Sequence, residues 1–202
     1  MSKDKNDALN VIARGEWVML RDWLATDVEP FVRWLAQGEW QKFDAPWETA
    51  IIDVDEEKNR KWLEKHLKNG DDSWFNKRAV IAKLDNTPLG WVNHYGEEGN
   101  PDVFYVGIAI CEDAFLNRGM GTEALKLWID YLFTVFDMHK LSLDTCSFNP
   151  RMVRVAEKVG FEYEGCQREM QQWQGEWLDR LHFGILRTEW QDCYKGEMDF
   201  YE

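Results

Sequence analysis

Leu116-Asn117-Arg118-Gly119-Met120-Gly121-Thr122-Glu123-Ala124 is the stretch whose reading decides the fold. Two glycines one residue apart separate an apolar extended run from a segment of helical period. Upstream, Val103-Phe104-Tyr105-Val106-Gly107-Ile108-Ala109-Ile110 is β-branched and aromatic, as a buried strand requires. Downstream, Ala124, Leu125, Trp128, Ile129, Leu132 and Phe133 recur at steps of three and four, which is one face of a helix. Glycine lets the backbone approach a ligand closely, and the first-turn N–H groups have no partner within the helix. A strand, a tight glycine turn and a helix N-terminus therefore predict an anion site. The expected ligand carries phosphate.

Working outward, residues 1–15 read as a loosely docked arm and 16–22 as a first strand. Thr26-Asp27 offers a helix N-cap, followed by the stripe Phe31, Trp34 and Leu35. Residues 38–52 are rich in aromatics and turn formers and read as a loop. Residues 55–69 read as an exposed helix that turns Trp62, Leu63, His66 and Leu67 inward, closed by Asn69-Gly70-Asp71-Asp72. The strands 78–84 and 89–95 form a hairpin about Asp85-Asn86-Thr87-Pro88, and a polar loop over 96–101 leads to the strand before the glycines. After the helix ending near Phe136, residues 141–146 alternate as a strand. Asn149-Pro150 then opens a helix that Gly160 stops, and 161–173 with 176–186 form a long hairpin about Gln174-Gly175. Residues 188–202 read as a short helix or tail. Strands in runs as well as in alternation with helices point to a mixed sheet.

A chain of 202 residues suits one domain with a sizeable core. Its 45% hydrophobic and 30% charged residues exclude disorder as the class. No stretch is apolar for long enough to span a bilayer, and the first residues lack the hydrophobic core of a signal peptide, so the expected location is the cytoplasm. The cysteines 111, 146, 166 and 193 follow no metal or disulfide-framework spacing, so free thiols and no metal are expected. A formal net charge of −13 argues against a nucleic-acid groove. It suits a cationic acceptor, because an acidic cleft concentrates amines. Of the 12 tryptophans, Trp34, Trp62 and Trp128 fall on expected core faces, whereas Trp40, Trp47, Trp74 and Trp173 fall near expected loops, where packing competes with a pocket-wall role.

Three features taken together resemble the GNAT family of acyl-CoA-dependent N-acyltransferases. One is the strand 105–110 running into Arg118-Gly119-Met120-Gly121-Thr122. Another is Asn149 after the next strand. The third is Arg154-Val155-Ala156-Glu157-Lys158-Val159-Gly160-Phe161, close to the E-K-x-G-F ending of the family's following helix. Gly121-Thr122-Glu123-Ala124 most resembles the branch of the RimJ/RimL ribosomal-protein N-terminal acetyltransferases, which also holds spermidine and some aminoglycoside acetyltransferases.

The resemblance implies an α/β (α+β) fold. Its mixed, mostly antiparallel sheet has about seven strands, helices on both faces and a splay between the central strands. It places an N-acetyltransferase domain over residues 16–190, between the arm and a tail from 191 to 202. Acetyl-CoA is the implied co-substrate. Its pyrophosphate would lie on the backbone N–H groups of Asn117, Arg118, Gly119, Met120, Gly121 and Thr122, with Arg118 adding a charged contact. Its pantetheine arm would run along Ile108, Ala109 and Ile110 and reach Asn149.

The implied reaction is direct attack of a primary amine on the thioester carbonyl in a ternary complex. An ammonium acceptor must first lose a proton, and a strand N–H can hold the oxyanion. No metal and no covalent enzyme intermediate is called for. The acceptor is a small-molecule or peptide amine, expected to be cationic, with no nucleic acid and no membrane as partner; a homodimer through the sheet edge or long hairpin is compatible.

Three positions depart from the family pattern. Leu116 stands where a Gln or Arg usually contacts phosphate, Ala156 where many members carry the tyrosine that protonates the leaving thiolate, and Met152 where some RimL-like members carry a serine. Position leaves Ser147, Tyr105 and Asp144 as catalytic candidates, with Glu112 and His94 as further proton acceptors. A catalytically silent acyl-CoA-binding or regulatory module is the alternative. A P-loop nucleotide site is disfavoured, because no Lys-Ser or Lys-Thr follows the glycines.

Overall fold

The computed structural model describes residues 9–47, 55–69, 77–97 and 100–194. The elements are β1 (Val11–Arg14), β2 (Val18–Arg21), α1 (Val28–Ala36), α2 (Glu56–Asn69), β3 (Arg78–Lys83), β4 (Pro88–Glu97), β5 (Asn100–Ile110), α3 (Met120–Val135), β6 (Lys140–Cys146), α4 (Pro150–Val159), β7 (Glu162–Trp173), β8 (Glu176–Leu186) and α5 (Arg187–Tyr194). One eight-stranded sheet has the order β1-β2-β3-β4-β5-β6-β8-β7. Its pairings are antiparallel at β1–β2, β2–β3, β3–β4, β6–β8 and β7–β8, and parallel at β5–β6. The expected mixed, mostly antiparallel α/β fold is what forms.

The strand count corrects the expectation of about seven. The added strand is β1, inside the segment expected to be a loose arm: Ala13 pairs with Leu20 and Arg14 with Met19, and Ala13 is buried. The loop expected over 96–101 also shrinks, since β4 runs to Glu97 and β5 begins at Asn100. Within the expected loop 38–52, Glu39–Lys42 form a 3-10 turn, and Trp40 is buried in the core instead of walling a pocket. Trp74, Gly70-Asp71-Asp72 and residues 48–52 lie outside the described residues. No helix among the described residues is long and apolar enough to cross a membrane.

The contacts cluster into two compact units, one of residues 1–93 with 108–128 and the other of 94–107 with 129–202. In the first, Phe31, Val32 and Trp34 of α1 and Leu63 and Leu67 of α2 pack with Met19, Val80 and Ala82 of the sheet. This is the stripe that the helical period predicts. Trp91 joins it from β4, 5.1 Å from Trp40 and 5.8 Å from Phe31 between ring centroids. Arg21, fully buried, is paired with Asp27 at 2.7 Å and also donates to Asn86 at 2.5 Å. Asp27 further accepts from Leu24 N, so its carboxylate closes the 3-10 turn before α1 in place of a side-chain cap on α1 itself. Removing either member of such a buried pair costs about 3–5 kcal/mol, because the other charge is stranded.

In the second unit, Arg187 donates to the carbonyls of Phe133, Phe136 and Met138, so one guanidinium closes the C-terminal end of α3. The predicted hairpin turn is present: Gln174 (φ 52°) and Gly175 (φ 89°) are both left-handed, as a tight two-residue connection requires. The predicted α3 face, Ala124, Leu125, Trp128, Ile129, Leu132 and Phe133, is buried throughout.

Candidate active site

In the first unit, β5 delivers the chain to the glycine turn. Close strand approach fixes its path: a Cβ on Gly90 of β4 would overlap the carbonyl oxygen of Ala109, so only glycine fits there. Cys111 N then donates to Leu89 O at 2.8 Å and continues the alignment past the strand end. A 3-10 turn, Asp113–Phe115, leads to Asn117 (φ 59°) and Gly119 (φ 85°), both left-handed. Asparagine and glycine tolerate that conformation best, which explains both residue types here. The helix α3 begins at Met120, so the N–H groups of Met120, Gly121 and Thr122 lie in its first turn, at the positive end of its dipole. Gly121 sits beside β5: a Cβ there would meet Ile110 Cγ1 at 3.5 Å and Ile108 Cδ1 at 3.8 Å. The structure thus brings Ile108, Ile110 and the Gly121 turn together.

Two further features of this turn escaped that reading. Arg118 lies over the Phe115 ring at 5.6 Å, and Lys83 approaches the same ring at 5.9 Å, so two cations flank one aromatic platform. Glu123, in the first turn of α3, accepts from the backbone N–H groups of Glu16 (2.6 Å), Trp17 (3.0 Å) and Val18 (2.9 Å). Its charge is thereby satisfied by the β1–β2 connection. Glu112, a candidate base, is engaged by Trp34 Nε1 at 2.8 Å and by Arg33, which gives it a packing role. Burial, reinforced by Glu112, Asp44 and Asp113, pushes the Cys111 thiol well up, so it stays protonated.

In the second unit, the β5–β6 ladder pairs Val103, Phe104 and Tyr105 with Lys140, Leu141 and Ser142. Beyond that point β5 continues to Ile110 and β6 to Cys146. Tyr105 stacks on Tyr95 of β4, with centroids 5.4 Å apart and planes 10° apart. Burial and then the Asp144 charge raise the Tyr95 phenol above its ordinary range, so it remains neutral. The β6–β8 register places Asp144 opposite His182, and Asp144 Oδ1 lies 2.8 Å from His182 Nδ1. Cys146 faces Arg180 two pairs further on, and burial raises its thiol too.

Ser147 is held at the strand end: its Oγ accepts from Asp179 N at 3.1 Å, and its own N–H donates to Asp179 O at 2.9 Å. Asn149 Oδ1 accepts from Met152 N at 3.1 Å and caps α4, with Pro150 in the first turn. Its amide NH2 is the end it can offer a ligand. Ala156, standing where many members of the resembled family carry a tyrosine, is buried. His94 is enclosed by aromatic rings, stacked on Phe104 at 4.9 Å and tilted on Phe136 at 5.5 Å. The sequence reading missed His182 altogether. Alternation along a long hairpin shows which face a residue takes, but not which residue of a distant strand stands opposite.

The family model described as an acetyltransferase (GNAT) domain matches residues 18–162. The SPbeta prophage-derived uncharacterized N-acetyltransferase YokL of Bacillus subtilis (strain 168) is 25% identical over 132 residues, covering 65% of this chain and 71% of that protein. The aminoglycoside N(6')-acetyltransferase type 1 of Klebsiella pneumoniae is 28% identical over 95 residues, 42% of this chain and 47% of that enzyme. Among solved structures, the spermidine N-acetyltransferase of Vibrio cholerae in complex with CoA and spermine superposes with a TM-score of 0.66 at 21% identity, covering 86% of this chain and 97% of that one. With the glycine turn at the head of α3 and a match across most of the sheet, the chain belongs to the GNAT acetyltransferase family.

Proposed function

We propose that this protein transfers an acetyl group from acetyl-CoA directly to a primary amine in a ternary complex. The observation that carries this reading is the sequence of β5, left-handed Asn117 and Gly119, and the N-terminus of α3 against Ile108 and Ile110. Backbone N–H groups from Asn117 to Thr122, the last three in the first turn of α3, would bind the pyrophosphate, and Arg118, posted on Phe115, would add the cation that Leu116 does not supply. The edge of Ile108, Ala109 and Ile110 would carry the pantetheine, with the Asn149 amide as a further donor. This chemistry asks for no metal.

The acceptor we favour is a cationic amine: a polyamine, an aminoglycoside or a protein N-terminus, the last as in the RimJ/RimL-like branch. The net charge of −13 supports it. The names of relatives acting on aminoglycosides and spermidine add to that support. Tyr105, Asp144 and Ser147 remain the catalytic candidates, with Ser147 Oγ–H the group suited to protonate the leaving thiolate. The buried Ala156 favours one competing reading, a silent acyl-CoA-binding module without a thiolate acid.

A thiol assay of CoA release against spermidine, an aminoglycoside and a peptide with a free N-terminus, run beside calorimetric titration of acetyl-CoA, separates the two. Release with any of these amines supports the enzyme. Tight acetyl-CoA binding with no release from any of them supports the silent module.

A further inference from the structure

The second unit contains a histidine–carboxylate pair that the sequence did not reveal. A carboxylate only accepts hydrogen bonds, so the 2.8 Å contact between His182 Nδ1 and Asp144 Oδ1 puts a hydrogen on Nδ1, and in the neutral imidazole the lone pair is then on Nε2. The pair is reachable: the His182 side chain is 36% exposed and that of Asp144 is 24% exposed. Strand pairing holds it in place, since the two residues are direct partners across β6 and β8. An acid that fixes the tautomer of an imidazole and stabilises the imidazolium is the arrangement a general base needs.

The groups around it leave the imidazole as the base. From β4, Tyr95 stays a neutral phenol, because burial and the Asp144 charge oppose its ionisation. From β5, Tyr105 stacks on Tyr95, and the two rings offer a π surface to a cation. Arg180, two residues along β8, donates to Met170 at 3.6 Å from β7, and its positive charge favours release of a proton taken up nearby. Cys146 on β6 is held as a thiol. Gly165 stands opposite His182 on β7 and brings no charge. Glu164 beside it is paired with Lys140 at 2.6 Å. The competing histidine, His94, is buried among rings.

We propose that His182 Nε2 takes the proton from the acceptor's ammonium, with Asp144 as its positioning residue. The inference rests on the acetyltransferase reading above. The N–H bond of the ammonium breaks and its proton moves to Nε2. The freed nitrogen pair forms the C–N bond at the thioester carbonyl. The carbonyl π pair, held on oxygen in the tetrahedral intermediate, re-forms the C=O bond as the C–S bond breaks, and the second proton of the attacking nitrogen passes to the leaving CoA sulfur, giving a neutral amide and a free thiol.

The experiment compares wild type, His182→Gln and Asp144→Asn with the best amine of the panel. It records kcat and kcat/KM from pH 6 to pH 9.5, and the Kd for acetyl-CoA alone. His182→Gln should lose about 100-fold in kcat near neutral pH, with the loss shrinking at high pH where free amine is abundant. Asp144→Asn should lose about tenfold in kcat with little change in KM, because an amide can present NH2 as readily as oxygen and no longer fixes the imidazole tautomer. Both variants should bind acetyl-CoA within about twofold of wild type, as expected where neither group touches the donor. A His182→Gln enzyme with kcat within about twofold of wild type across the range overturns the role of His182 and leaves the transferase reading standing. A wild type that binds acetyl-CoA but acetylates none of the panel overturns the transferase reading, and the His182 role with it.

Discussion

In the β3–β4 turn, Lys83 Nζ lies 2.7 Å from Asp85 Oδ2 and Thr87 N donates to Asp85 Oδ1 at 3.0 Å. The Lys83 contact first and the Thr87 contacts next hold the Asp85 carboxyl down at about 2. A depressed carboxyl contributes stability that is fully present above its ordinary value of 3.8 and is lost as pH falls toward about 2. Asp85→Asn should therefore melt below wild type at neutral pH, and the gap should close between about pH 4 and about pH 2. Melting curves of both proteins over that range check it; a gap that persists at the acid end would assign the effect to turn geometry instead. The same turn shows what sequence can convey at this scale. Asp85-Asn86-Thr87-Pro88 announces a turn by local chemistry, and Asn86 is indeed left-handed at φ 71°. Pairs made across distance are silent in the sequence. Arg21 with Asp27, and Asp144 with His182, depend on which strands become neighbours. Periodicity gives a residue its face but not its partner.

Among the elements, β5 and the head of α3 are joined by contacts that make opposite demands on two glycines. A methyl at Gly90 collides with the Ala109 carbonyl, whereas a methyl at Gly121 finds only ordinary contacts with Ile108 and Ile110. Gly90→Ala should therefore lower the melting temperature and weaken acetyl-CoA by about tenfold, because β5 must shift. Gly121→Ala should melt like wild type yet also bind acetyl-CoA more weakly, since what it fills is the space for a close-lying ligand. Calorimetry and thermal denaturation of the two variants check this; unchanged affinity in Gly121→Ala would remove the turn from the donor site. These elements were legible because strand, glycine turn and helix are consecutive in the chain. The strand β1 was not. Its four residues at the end of the strand order carry too short an alternation to stand out, and they become a strand only because β2 offers a partner.

For the molecule as a whole, the charge of −13 is a property that single sites do not express. At physiological ionic strength the Debye length is about 8 Å, so steering of a polycation by this field should be salt-sensitive. The kcat/KM for spermidine should fall several-fold between low and high salt, while that for a singly charged amine should change little. Initial rates across a salt series test it, and equal slopes for both amines would show that the field plays no part. Family membership and the open mixed sheet were readable from three separated motifs, because together they specify an order of elements. The division of contacts into two compact units was not, since β4, β5 and α3 each cross the boundary without any break in composition.

One contact joins the start of the described chain to the proposed donor site. Glu123 grips the backbone of Glu16, Trp17 and Val18 from the first turn of α3. Whatever orders that turn must then also favour the docked β1–β2 connection, and by thermodynamic reciprocity the docking favours the ligand to the same degree. A cut, fusion or crosslink near residue 16 thus becomes a handle on cofactor affinity, and protease resistance at that end becomes a gauge of cofactor occupancy.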